Sequence, residues 1–95
     1  MAGRGNPRQR AGLVLDGAGD ETAVLDPEED RRYALNATAA ALWELCDGRT
    51  SPAEMVDALC LLFRAEPTTI SGDVDRVLEQ FATLGLIEWE DESGD

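Results

Sequence analysis

Apolar and polar positions change their rhythm once along this chain. Between residues 11 and 35 the repeat is close to two, the spacing of a strand with one buried face. It predicts three short strands, Gly12–Asp16, Thr22–Asp26 and Arg31–Leu35. The Gly- and Asp-rich stretch GAGDE and the stretch PEED separate them as turns. Three strands so closely spaced predict a small antiparallel meander.

From residue 36 the repeat becomes 3.6. Asn36 is a good N-cap, and Ala39, Leu42, Trp43 and Cys46 make an apolar stripe at i, i+3, i+4 and i+7. Gly48 is the stop. Ser51 then starts a second helix, with Pro52 at its first position and Glu54 completing a capping box. Met55, Val56, Leu59, Cys60 and Phe63 form its stripe, and it ends before Glu66-Pro67. A third helix is predicted from near Thr69 to Leu84, with Ile70, Val74, Val77, Leu78, Phe81 and Leu84 on one side and Gly85 as its stop. Leu86 to Trp89 reads as a short extended piece laid over the core. The predicted class is α+β, an N-terminal three-stranded antiparallel sheet followed by three helices. The aperiodic, Gly/Arg/Pro-rich residues 1–10 are expected to be a disordered lead, residues 11–89 the folded domain, and residues 90–95 an acidic tail.

Two helices joined by a tight turn suggest a helix-turn-helix, and with it a winged-helix transcription regulator that binds DNA. Charge argues against that reading. The chain holds 20 acidic and 8 basic residues, for a net charge of −12, and every basic residue is Arg. Arg4, Arg8 and Arg10 fall in the first ten residues, so the remainder carries −15. Nucleic-acid affinity comes largely from cations placed on phosphates. The third helix, where a recognition helix would lie, bears Asp73 and Asp75 in place of the usual Arg, Lys, Asn or Gln. Nucleic acid is therefore not an expected partner.

Catalysis finds little support. There is no His and no Lys, so the usual general bases are missing. Asp73 and Asp75, two apart, do not share a helical face. The GAG at 17–19 lacks the helix and the Lys and Ser of a phosphate loop. Cys46 and Cys60 read as small buried hydrophobes, and without His they cannot complete a metal site. No enzyme activity, cofactor or metal is expected. No apolar run suggests a membrane span or an export signal, so the expected location is the cytoplasm. A binding module remains. A meander has open edges, an extended peptide can add to one as a further strand, and a neighbouring helix would wall a groove for its side chains.

The stretch LNATAAALWELCDGRTS, then an amphipathic helix, then ISGDVDRVLEQFATLGLI, resembles the PqqD-like family. The matching elements are Leu35-Asn36, Trp43, the turn Asp47-Gly48-Arg49-Thr50, Asp73-Val74, and Leu78 through Leu86. The resemblance implies a winged helix-turn-helix fold. It also implies a recognition element that binds the leader segment of a ribosomally synthesised precursor peptide. Such an element presents the leader to a modifying enzyme, a leader peptidase or a radical SAM enzyme, in lasso-peptide or pyrroloquinoline quinone pathways. The leader would add to the third strand, beside Arg31, Arg32, Tyr33, Ala34 and Leu35. On the third helix the implied contacts are Asp73, which matches the family motif, and Arg76, Val77, Gln80, Phe81 and Leu84, placed by helical spacing. Leu35, Asn36, Gly48 and Gly85 are expected to be structural. Arg31-Arg32, after the acidic DPEED, would make the peptide edge locally basic.

Overall fold

The computed structural model describes residues 5–17 and 21–90. Its elements are β1 (Asn6–Gln9), β2 (Val14–Asp16), β3 (Thr22–Asp26), β4 (Arg31–Leu35), α1 (Ala37–Leu45), α2 (Pro52–Phe63), α3 (Pro67–Thr83) and β5 (Ile87–Glu90). They form a mixed α/β arrangement of three helices with two antiparallel sheets, one of order β2-β3-β4 and one made of β1 and β5.

The three-stranded sheet is local. Val14 pairs with Leu25, Thr22 with Leu35, and Asp26 with Arg31. Asp26 builds its own turn: one carboxylate oxygen accepts the N–H groups of Glu28 and Glu29 at 3.2 Å each. Asp30 takes a left-handed conformation, φ 56°, to bring the chain back into β4, a geometry that Asp and Asn tolerate better than most residues. The first strand is shorter than expected and begins at Val14, because Gly12 sits at φ 92° in a bend.

The helix starts follow their caps. Asn36 accepts the Ala39 N–H at 2.8 Å. Ser51 accepts the Glu54 N–H at 3.1 Å while Glu54 accepts the Ser51 N–H at 2.9 Å. Each cap contributes roughly 1 kcal/mol. α3 starts two residues before Thr69, since Pro67 occupies its first turn, where the missing N–H costs nothing. α2 ends at Arg64, whose φ of 53° is a left-handed stop made without glycine.

Leu42, Trp43, Met55, Leu59, Val74, Leu78 and Phe81 interlock as the core, with Trp43 edge-on to Phe81 at 5.6 Å and 86°. Val24, Tyr33 and Leu35 bring the sheet onto it. Leu84, placed with the core stripe by its spacing, is instead 49% exposed.

The expectation of a disordered lead needs correction for residues 6–10. Asn6–Gln9 pairs along its whole length with β5, Asn6 opposite Glu90 and Gln9 opposite Ile87. The segment also ends α1. The Gln9 side-chain amide donates to the Trp43 carbonyl at 2.7 Å, and the Gln9 N–H donates to the Cys46 carbonyl at 3.0 Å. The Gly48 N–H donates to the Pro7 carbonyl at 2.9 Å. Carbonyls at a helix end have few partners within the helix, and here a strand distant in sequence adds donors to two of them. Residues 1–4 of the expected lead, and 91–95 of the expected acidic tail, lie outside the described residues. Among the described residues no helix is long and apolar enough to cross a membrane.

Candidate functional site: an open sheet edge beside a helix

β4 pairs with β3 on one side only, so among the described residues its other edge offers unpaired backbone donors and acceptors. The pleat divides its side chains. Arg31, Tyr33 and Leu35 share one face and Arg32 and Ala34 the other. Tyr33 and Leu35 are half-buried against the core, while Arg32 and Ala34 are exposed.

Beside this edge runs a groove of about 380 Å³. Its strand side consists of Arg32, Tyr33, Ala34 and Leu35, continued by Asn36 and Ala39 at the start of α1. Its helix side consists of Val77, Gln80, Phe81 and Leu84, closed by Leu86. Val77 and Phe81, 8% and 3% exposed, form the floor, and Leu84 stands as an exposed apolar wall. A second hollow continues past Tyr33 and Leu84 toward Arg10, Asp26 and Arg31.

The structure therefore gathers most of the residues expected on sequence grounds. Two lie apart. Asp73 and Arg76 ion-pair with each other at 2.6 Å, one helical turn apart on the exposed side of α3, and neither lines the groove. The local basicity expected of the edge is also reduced, because Arg32 pairs with Glu21 at 3.3 Å. Asn36, Ala39 and Leu86 were read only as a cap and as core, yet they line the groove too. Ala39 carried a signal that went unused: a small residue on a helix facing a sheet leaves space.

The remaining chemistry is structural. Burial first, and the Asp47 charge second, push the Cys46 thiol up to about 12, so it stays protonated and inert. Cys60 is a free, half-buried thiol. Asp47 is held below its usual value by the Arg49 N–H, followed by the Thr50 hydroxyl and N–H, which together make the turn between α1 and α2. Among the described residues no group of three or more Cys, Asp or Glu is arranged to hold a metal ion. On α3 the exposed positions include Asp75 and Glu79, and Arg76 is already paired. That surface is unsuited to a phosphate backbone.

A fold of small antiparallel sheets and three helices, with an open strand edge beside a helix-walled groove, is one to which an extended peptide can add as a further strand. The model of the family "Coenzyme PQQ synthesis protein D (PqqD)" matches residues 21–87, and the chain belongs to that family. A PqqA binding protein of Rhodopseudomonas palustris (strain HaA2) is 32% identical over 79 residues, covering 83% of this chain and 76% of the relative. Among solved structures, TbiB1 in complex with the TbiA(beta) leader peptide superposes with a TM-score of 0.74 at 25% identity, covering 88% of this chain and 99% of that one. The PqqD truncation of Methylobacterium extorquens PqqCD, a stand-alone recognition element for ribosomally synthesised and post-translationally modified peptides, gives 0.71 at 28% identity, covering 86% and 87%.

Proposed function

We propose that this chain binds the leader segment of a ribosomally synthesised precursor peptide as an added strand on the free edge of β4. Apolar leader side chains enter the groove between β4 and α3, over Val77 and Phe81 and against Leu84. The chain then presents the peptide to a modifying enzyme or leader peptidase and has no turnover of its own. The observation that carries this reading is the pairing of an unfilled strand edge with an apolar groove along that edge. Backbone pairing supplies affinity there and the groove selects side chains. The leader-peptide complex of TbiB1 and the recognition element of Methylobacterium extorquens PqqCD support it. We read the helix order as a winged helix-turn-helix whose third helix walls a peptide groove in place of entering DNA.

The test uses fluorescein-labelled peptides spanning the N-terminal halves of short precursors encoded beside this chain's gene. They are titrated into the isotopically labelled protein. Amide shifts clustered on residues 31–36 and 77–86 are expected. Shifts confined to the α1–α2 turn would put the site elsewhere, and a gel shift on DNA at low salt would favour the regulator reading.

A further inference from the structure

Next to the groove lies an ion pair that the peptide-edge reading does not use. The Arg10 guanidinium donates to Asp26 at 2.7 Å, and the Asp26 side chain is only 5% exposed. Arg10 follows β1 directly, and its N–H donates to the Leu86 carbonyl at 2.9 Å, so its backbone is fixed to the segment after α3. Asp26 ends β3 and lies opposite Arg31, the first residue of β4. Its other carboxylate oxygen holds the N–H groups of Glu28 and Glu29, and these set the turn that delivers β4. The turn closes through Asp30 in the left-handed region, a conformation that needs support from its surroundings. Arg10, Asp26 and Arg31 line the hollow that shares Tyr33 and Leu84 with the groove.

We infer that Arg10 is a positioning residue for the peptide-binding edge: by neutralising the covered Asp26 carboxylate it fixes the turn 27–30, and so the start and register of β4. This inference rests on β4 being the peptide edge. It assigns the N-terminal strand a second task, since β1 delivers Arg10 to the hairpin. A covered carboxylate without a countercharge is costly, and it relaxes by taking up a proton or by opening toward water. Either change loosens the two hydrogen bonds that hold the turn. The Nε–H of Arg10 is buried without a partner among the described residues, which leaves the pair at Asp26 as its side chain's one polar anchor there.

The pair also sets a pH dependence. Asp26 is held below its ordinary value, first by the Arg10 hydrogen bond and then, against burial, by the Glu29 and Glu28 N–H groups. The charged and titratable groups around the pair are Arg10 from the segment after β1, Glu28 and Glu29 from the turn, and Arg31 and Tyr33 from β4. A carboxylate with a depressed native value stabilises above its unfolded value, and that contribution is lost as pH falls through the native one. In the parent, order in the turn should therefore persist below the ordinary range of a carboxylate. Replacing Arg10 moves the loss to higher pH.

The test compares the parent with Arg10→Gln and Arg10→Lys by amide hydrogen exchange and by titration with the labelled precursor peptides. In Arg10→Gln the amides of Glu28, Glu29 and the β3–β4 ladder should exchange about tenfold faster, while those of Trp43 and Leu78 hold, because only a local opening is made easier. The pH at which the turn loosens should rise, and Arg10→Lys should restore much of both. Peptide affinity should fall about tenfold in Arg10→Gln, the value of one local contact. Unchanged exchange at residues 28–35, or a uniform rise that includes Trp43 and Leu78, would overturn the positioning role. Exchange confined to the hairpin with peptide affinity unmoved would leave the hairpin role intact and remove β4 as the peptide edge.

Discussion

The two sheets of this domain are both antiparallel and both small, yet they are built by opposite means. β2, β3 and β4 follow one another, and the turn between β3 and β4 is held by Asp26 at its own start. β1 and β5 come from opposite ends of the described sequence and pair side by side, with Arg8 opposite Glu88 and Pro7 opposite Trp89. No turn joins them, and all three helices lie between them in the sequence. The local sheet leaves the outer edges of β2 and β4 unpaired among the described residues, and that of β4 borders the groove. The long-range ribbon does the reverse: it covers the end of α1 and donates to the carbonyls of Trp43 and Cys46 there. The sheet whose edge borders the groove is thus built from pairings local in sequence, and the ribbon that covers the end of α1 from a pairing between distant segments.

The largest effect should strike both regions at once. Trp43 is 2% exposed and packs on Phe81 beneath everything else. Trp43→Ala should cost about 3–5 kcal/mol, a large share of the stability of so small a domain. Urea unfolding followed by circular dichroism should show little folded baseline. A melting curve close to the parent's would mean that neither sheet depends on that core.

Removal of the ribbon alone separates the two regions. Deleting residues 1–9 takes away β1 and the hydrogen bonds it makes to the end of α1, with an expected loss of about 2–3 kcal/mol. In a Cys60→Ser background, Cys46, whose carbonyl β1 holds and whose thiol burial pushes up to about 12, should then react faster with a thiol reagent at pH 8 as the end of α1 loosens. A truncated chain as stable as the parent would make β1 an ornament of the fold.

The open edge can be tested without touching either sheet. Leu84 is exposed, so Leu84→Asp should leave the melting temperature within a few degrees of the parent's while precursor-peptide affinity drops about ten- to hundredfold, an unpaired carboxylate standing where an apolar side chain must dock. Equal affinity would move the peptide off this wall. The smallest expected effect is a gain: Arg64→Gly relieves a left-handed residue at the end of α2, away from both sheets, and should stabilise by about 0.5–1 kcal/mol, read as a higher urea midpoint.

What could be read from the sequence follows the range of the forces involved. Period-two patterning with Gly, Asp and Pro at the turns placed β3 and β4 at their observed limits, because a hairpin's register is set within its own few residues. The caps at Asn36 and Ser51, with Pro52 and Glu54, located two helix starts, since each is a hydrogen bond closed within one turn. The groove residues Tyr33, Leu35, Val77, Gln80 and Phe81 came from the family likeness and from helical spacing. Three things waited for the tertiary structure. A polar, Pro-containing segment became β1 because its partners, β5 and the carbonyls at the end of α1, exist only in the folded chain. Leu84 left the core stripe for the groove wall because the packing of β4 against α3 leaves a gap there. Arg10 reached Asp26 through the placement of the whole ribbon. None of these is encoded in spacing, because each is a contact between segments brought together only when the core closes.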